Sequence, residues 1–324
     1  MRTETEYTLL RELIEAAEPI VGSSIVHASP VARGWLNRKW KIETAAGEVY
    51  LLKQYDRDRY GEDRVPALRT ALSWQQRLYR AGFPCPQLAE REGQLLHRTG
   101  GGERFNLMAY IQGDVPQPGR LSQQQLREFG SAAGRLHRLL NEDTLTAETS
   151  PLTVLSSRSE RLSRLDELAA LLRTQGAAAA WQPQLDLHRE AARSIDLAAL
   201  ASSPPGFAHR DLWTDNVLVR ADGLAAVLDF DRLGFDYPEH DIARALMSCC
   251  YRDGHYDEFM ESAWLDGYAS ERPLCESGIA RAKILLYWVE CDWWIRPDML
   301  HELTGPPARF REELAWLAAD FLSR

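Results

Sequence analysis

Residues 209–231 read HRDLWTDNVLVRADGLAAVLDFD. Two apolar runs, 217–219 and 224–228, flank an Arg-Ala-Asp-Gly stretch, and Asp222-Gly223 between such runs is a strong hairpin signal. A hairpin brings the entry of its first strand and the exit of its second to the same end. Asp211 and Asn216 lie on the approach to the first strand and Asp229 at the end of the second, so three oxygen-bearing side chains converge. That donor set suits Mg²⁺, a hard cation that takes oxygen ligands and keeps water and phosphate oxygens in its shell.

Working outward, Ser29 to Tyr55 holds two partly alternating runs, Lys39 to Glu43 and Glu48 to Gln54, joined by a turn containing Gly47. They read as a β-hairpin. The recurrence of Leu68, Leu72, Leu78 and Tyr79 predicts a helix over 66–81, with Gly82 ending it. Gln94 to Leu96 and Phe105 to Ile111 read as further strands. GDVPQPG at 113–119 is a Pro/Gly-rich break. Beyond it Ser122 and Gln125 form a capping box, and Leu126, Phe129, Ala133, Leu136 and Leu140 mark one face of a helix. The Ala/Leu/Arg-rich region 153–200 is predicted helical, and the chain from about 241 is helix and loop. A small β-rich part, a break, and a larger mainly helical part carrying a hairpin make an α+β protein rather than a regular βαβ alternation.

The 324 residues suffice for one large domain or two lobes with a buried core. The first twenty residues carry charges throughout and lack the apolar core of a signal peptide, and no stretch approaches the length that spans a bilayer. Five cysteines without metal-ligand spacing fit a reducing, cytoplasmic setting, so a cytoplasmic protein with no membrane partner is expected. A net charge of −9 argues against nucleic acid and is compatible with a cationic small-molecule partner.

An oxygen-donor metal site, a positioned acceptor hydroxyl and a cation on the phosphates are most of what phosphoryl transfer asks of a protein. His209-x-Asp211 through Asn216, followed by Asp229-Phe-Asp231, resembles the catalytic and metal-binding loops of the aminoglycoside phosphotransferase superfamily, which includes choline kinases and kinase-like homoserine kinases. The resemblance implies a bilobal, protein-kinase-like fold that uses ATP and Mg²⁺, with a nucleotide-binding lobe over 1–112 and a catalytic and substrate-binding lobe over 113–324. It implies that Asp211 is the catalytic base, that Asn216 and Asp229 hold the metal, that His209 braces the loop, and that Asp241 anchors it. Arg210 stands where this superfamily more often has glycine. Asp231 reads equally as a second metal ligand or a solvated carboxylate.

The resemblance continues upstream. Gly34 to Asn37 is similar to a Gly-x-x-Asn phosphate loop, and Lys53 after Tyr50-Leu-Leu to the phosphate-binding lysine, a compact positive charge. Phe105 to Gly113 resembles the segment that receives adenine, with Ala109 and Ile111 pairing through their backbone and Met108 nearby. Gly134 to His137 resembles the helix ending beneath the catalytic loop, and His137 on an apolar face reads as a satisfied core histidine. One feature departs from protein kinases: residues 66–81 contain no acidic side chain to pair with Lys53, and Gln75 is the clearly polar residue on the helix's apolar stripe.

Ile284 to Pro297, ILLYWVECDWWIRP, is apolar except for two acids. Glu290 and Asp292 among Trp288 and Trp293 could hold a cationic acceptor through charge and cation–π attraction; equally, the helix could be core with its acids paired to Arg281, Lys283 or Arg296. Asp236 and Glu239 are comparable acceptor candidates. The expected activity is therefore transfer of the γ-phosphoryl group of ATP to a hydroxyl of a small molecule: an amino alcohol, an aminoglycoside, a homoserine-like compound or a sugar. A protein Ser/Thr kinase of the same fold is the alternative, disfavoured by the short stretch between Asp229 and Asp241. A non-catalytic nucleotide-binding or spore-coat-like relative is a third possibility, and intact Lys53, Asp211, Asn216 and Asp229 speak against it.

Overall fold

In the computed structural model α1 (Glu4–Val21) buries Leu10, Leu13 and Ala17, three to four residues apart, while Arg11 and Glu15 face solvent. Strands β1 (Ile25–Pro30), β2 (Lys39–Thr44) and β3 (Val49–Tyr55), helix α2 (Val65–Arg80), and strands β4 (His97–Arg98) and β5 (Arg104–Ala109) follow. Helices α3 (Gln123–Asn141), α4 (Arg158–Thr174), α5 (Ala178–Ser194) and α6 (Leu197–Ala201) come next, then β6 (Gly206–Ala208), β7 (Val217–Arg220), β8 (Gly223–Val227) and β9 (Gly234–Asp236). The chain closes with α7 (Pro238–Cys250), β10 (Tyr251–Arg252), β11 (His255–Tyr256), α8 (Glu258–Glu271), α9 (Glu276–Glu290) and α10 (Gly305–Ser323). The structure describes residues 4–31, 37–142, 150–176, 178–295 and 304–323. Two compact units result: Met1–Val115 with Asn216–Leu233, and Pro116–Asp215 with Gly234–Arg324.

The first unit is built on an antiparallel sheet in the order β1-β2-β3-β5-β4. Strand alternation sorts its residues into two faces. Trp40, Ile42, Leu52, Phe105 and Leu107 pack with Leu10, Leu13 and Ala17 of α1 in one apolar cluster. A second cluster joins Leu68 and Leu72 of α2 to Tyr55, Tyr60, Leu88, Leu96 and Met108. The β2–β3 turn needs its glycine, since Gly47 has φ 83°. Predicted strand Gln94 to Leu96 is instead a turn, closed by mutual backbone bonds between Arg91 and Gln94, and the short strand lies just beyond at β4. Tyr79 is exposed and does not belong to the buried stripe of α2.

The β7–β8 hairpin belongs to this first unit although it comes far later in the chain. Asp114 and Val219 exchange both backbone hydrogen bonds at 2.8 Å, and Val227 N–H donates to Pro84 O at 2.8 Å. Phe230 meets Phe83 edge to face. The hairpin is as expected, but its turn is one residue earlier: Arg220 pairs with Gly223, leaving Ala221-Asp222 as the loop. Gly223 sits in the strand at φ 142°, a conformation other residues rarely adopt.

The second unit is mainly helical. The capping box is present at Ser122–Gln125, and the predicted face of α3 is buried throughout. Helices α3 and α8 approach at backbone distance through Gly130, Gly134 and Gly267: a Cβ at Gly130 would stand 1.9 Å from Trp264 O. The predicted helical region 153–200 begins as a helix only at Arg158, behind a second capping box from Ser157 to Glu160. Helix α7 is buried almost all round. All five cysteines are free, and no helix among the described residues is long and apolar enough to cross a membrane.

Candidate active site

In the first unit the chemistry gathers on the sheet face opposite α1. Cross-strand register puts Lys39 beside Lys53 and Lys53 beside Asn106, with Tyr55 two residues on. Lys53 is 2% exposed. A buried ammonium is costly unless it is paired, and here the segment after β8 supplies the partners. Lys53 Nζ lies 2.7 Å from Asp229 Oδ1 and 2.5 Å from Asp231 Oδ2. Burial alone would lower the lysine's pKa, but the two carboxylates more than offset it, so the net shift is upward and the side chain stays a cation. Lys39 approaches the other oxygen of Asp229 at 3.7 Å, and burial together with the charge of Lys53 pulls its own pKa down.

Asp229 has left-handed backbone, φ 62° and ψ 61°, and begins a 3₁₀ turn over Phe230–Arg232. Hairpin pairing of Val217 with Val227, continued by Leu228 N–H donating to Asn216 O at 2.8 Å, sets Asn216 and Asp229 at the same end of the hairpin. Asp231 is not a solvated carboxylate. Its side chain is 6% exposed, and it accepts from Tyr55 Oη at 2.9 Å, Tyr60 Oη at 3.3 Å and Asn37 Nδ2 at 3.4 Å besides Lys53. Gly34, assigned to the same phosphate loop as Asn37, lies outside the described residues.

Met108 is buried against Leu51 and the α2 side of the sheet, at the end of β5. The Ala109 N–H donates to Gln87 O at 2.8 Å, so that donor is committed within the chain rather than offered to a base. Ile111 follows the strand, half-buried. Gln75 does not meet Lys53: its Nε2 donates to Pro86 O at 2.9 Å and braces the segment after α2.

In the second unit Asp211 is half-buried on a loop that α7 holds from within. Both oxygens of Asp241 accept loop backbone N–H groups, Oδ2 from His209 at 2.6 Å and Oδ1 from Arg210 at 2.8 Å. Asp241 also meets His137 Nε2 at 3.1 Å, and His137 Nδ1 meets Tyr268 Oη at 2.9 Å, so His137 is a satisfied core histidine. Burial pulls the pKa of His137 down against the pull of Asp241. Arg210 has φ 66°, the left-handed region in which glycine is unstrained. Its guanidinium donates to Asp236 at 2.6 Å.

The acids proposed for the acceptor are largely occupied within this unit. Asp236 is buried and also accepts from Thr153 N–H at 3.2 Å and Thr153 Oγ1 at 2.8 Å. Glu239 is buried and pairs with Arg281 Nε at 2.8 and 3.1 Å. Glu290 pairs with Arg244 at 3.1 Å, His240 at 3.2 Å and the Trp294 indole at 3.0 Å; burial opposes its charge, yet these partners hold its pKa at about 2. Asp292 pairs with Arg161 and, at 3.5 Å, with Arg164. Trp288 is fully buried, donates its indole N–H to Ser156 O at 2.9 Å, and has the Arg161 guanidinium 5.4 Å from its ring centre. The guanidinium of Arg161 thus lies beside both Asp292, just past the end of α9, and Trp288 within it. Trp293 is half exposed and makes an edge contact with Trp294.

A family model described as the phosphotransferase enzyme family matches residues 27–274. The chain belongs to that family. The phosphotransferase is 28% identical over 292 residues to the homoserine kinase of Methylobacterium radiotolerans, covering 87% of this chain and 82% of the relative. It is 27% identical to the homoserine kinase of Methylobacillus glycogenes, with 80% and 77% covered. Among solved structures an amicoumacin kinase in complex with AMP-PNP and Ca²⁺ shares the fold at TM-score 0.62 and 16% identity, covering 97% of this chain and 93% of that one. The protein-kinase-like α+β fold expected from the motifs is the fold observed, and the phosphotransferase is a kinase.

Lys39 and the Tyr55–Tyr60 pair carry no motif signal in this phosphotransferase. The one cue for Lys39 is strand register, which makes it the β2 residue that faces Lys53. Arg161 and Arg244 sit in helices whose composition looks ordinary, and only the fold shows which acids they meet.

Proposed function

We propose that this phosphotransferase transfers the γ-phosphoryl group of ATP to the hydroxyl of a small amino-acid-like or amino-alcohol acceptor, homoserine being the first to test. The observation that carries the reading is the double clamp of Asp241 on the backbone of His209 and Arg210, which fixes the loop bearing Asp211. A rigidly held carboxylate can orient an alcohol and accept its proton as the oxygen attacks phosphorus. Lys53, kept cationic in a buried setting, suits a role on the nucleotide phosphates. Asn216 and Asp229 offer hard oxygen donors at one end of one hairpin, which fits Mg²⁺ with water and phosphate oxygens completing its shell. Bound there, Mg²⁺ would offset the charge of the phosphates.

The first unit would then bind nucleotide and the second the acceptor. The curated relatives named as homoserine kinases support an acceptor bearing a primary hydroxyl and an α-amino acid group. A protein substrate is disfavoured because the segment between Asp229 and Asp241 is spent on a 3₁₀ turn, strand β9 and the start of α7. The test is ADP release with ATP, Mg²⁺ and a panel of L-homoserine, amino alcohols, aminoglycosides and amino sugars. Release above the acceptor-free rate is expected with at least one, and Asp211→Asn should reduce it about 10²–10⁴-fold while leaving nucleotide binding in place. No stimulation by any acceptor would refute the small-molecule reading.

A further inference from the structure

Helix α2, VPALRTALSWQQRLYR, has no acidic residue with which to hold Lys53, and Gln75 is engaged with Pro86. The lysine is nonetheless buried and fixed. Its two carboxylate partners differ in kind. Asp229 has a side chain 25% exposed, divides its oxygens between Lys53 and Lys39, and is the residue read above as a metal ligand. Asp231 is enclosed, with Oδ1 held by Tyr55 Oη and Oδ2 by Tyr60 Oη and Lys53. Tyr55 Oη in turn accepts from Asn106 Nδ2 at 3.0 Å. Asn106, Lys53 and Tyr55 are tied to adjacent positions of β5 and β3, so the polar chain from Asn106 through Tyr55 to Asp231 and Lys53 is fastened to the sheet itself. Cooperative hydrogen bonding in a buried chain of this kind favours one geometry.

We infer that Asp231 is the anchor of Lys53 in this phosphotransferase, a positioning residue that aims the lysine from the metal-binding loop in place of an acidic side chain on α2. Asp229 can then turn toward metal without releasing the lysine. The tyrosines give the anchor its orientation, Tyr55 directly and Tyr60 from the loop after β3. The inference rests on the reading of Lys53 as the phosphate-binding cation.

The test separates aim from charge. Removing a carboxylate near a phosphate site would, by charge alone, strengthen nucleotide binding; loss of aim weakens it. Titration of Asp231→Asn with a fluorescent ADP analogue and Mg²⁺, without acceptor, should show affinity at least about tenfold weaker with thermal stability retained. Where an acceptor is available, KM for ATP should rise and KM for the acceptor should stay within about twofold. Asp231→Glu, which restores the charge, should recover part of the affinity. Tyr55→Phe should weaken nucleotide binding about three- to fivefold, and it decides the question if Asp231→Asn does not fold. Nucleotide affinity unchanged or improved in folded Asp231→Asn, or unchanged in Tyr55→Phe, would overturn the inference. A lack of turnover with every acceptor would count against the small-molecule reading alone, since nucleotide binding is measured without one.

Discussion

Asp241 Oδ2 accepts the backbone N–H of His209 at 2.6 Å, and both side chains are fully buried. With Arg210 N–H on its other oxygen and His137 beside it, Asp241 uses a carboxylate where an amide would present one donor to donors. Asp241→Asn is expected to cost about 2–3 kcal/mol of stability, the scale of a buried donor left unpaired. It should also lower turnover by about 10²-fold or more by freeing the loop of Asp211. Urea denaturation and steady-state rates check the two effects separately.

Arg161 pairs with Asp292 and lies over the ring of Trp288, two residues proposed for a cationic acceptor. Asp292→Ala leaves a buried guanidinium short of its main partner, and a loss of about 3 kcal/mol is expected. KM for the acceptor should be unchanged. A large rise in acceptor KM with stability intact would return Asp292 to the acceptor site.

The α3–α8 crossing depends on the absence of a side chain at Gly130. A methyl group there would collide with Trp264 O, which is backbone and cannot swing aside. Gly130→Ala should therefore destabilise by about 3 kcal/mol. Gly47→Ala has open space around it and only a positive φ to contend with, so a cost of about 1 kcal/mol is expected there. Thermal melts of the two variants, side by side, test the ranking.

His188 stacks on Tyr287 and is held by its hydroxyl at 3.1 Å, buried enough that its pKa is pushed down to about 4. The folded value lies below the unfolded value of about 6.5, so the unfolded chain binds the proton first. The stabilising contribution of neutral His188 is whole above about pH 6.5 and is lost as pH falls toward about 4. A decline on the order of 2–3 kcal/mol is expected from this group over that range. Urea midpoints at pH 7, 6 and 5 should fall in the parent and fall less in His188→Leu.

How much of the molecule is legible in its sequence follows from where the information resides. Local signals carry well: the β2–β3 and β7–β8 hairpins, the Ser122 capping box and the buried face of α3 each depend on residues a few positions apart. The Asp241 clamp is legible because motif and spacing travel together. The lysine's partner is not, because Asp231 meets Lys53 only after two distant segments are brought together, and α2 offers no acidic side chain. Glu290 and Asp292 look like unpaired acids in apolar company. Their arginines lie in α7 and α4, and no local pattern links them. Helix α1 carries a broad apolar face, Leu9, Leu10, Leu13, Ile14, Ala17 and Ile20, interleaved in the sequence with Arg11, Glu12, Glu15 and Glu18.

The contribution of residues 216–233 to the first unit sets the order in which that unit can be completed. A ribosome delivers the sheet, α2 and the segment through Val115 long before the hairpin that bonds to Asp114 and Pro84. Until then Lys53 has neither carboxylate, and the sheet face around it has a cation with no counter-charge. The first unit is thus finished by a segment that follows the loop bearing Asp211, and a chain cut after Val115 would carry Lys53 without the acids that let it be buried.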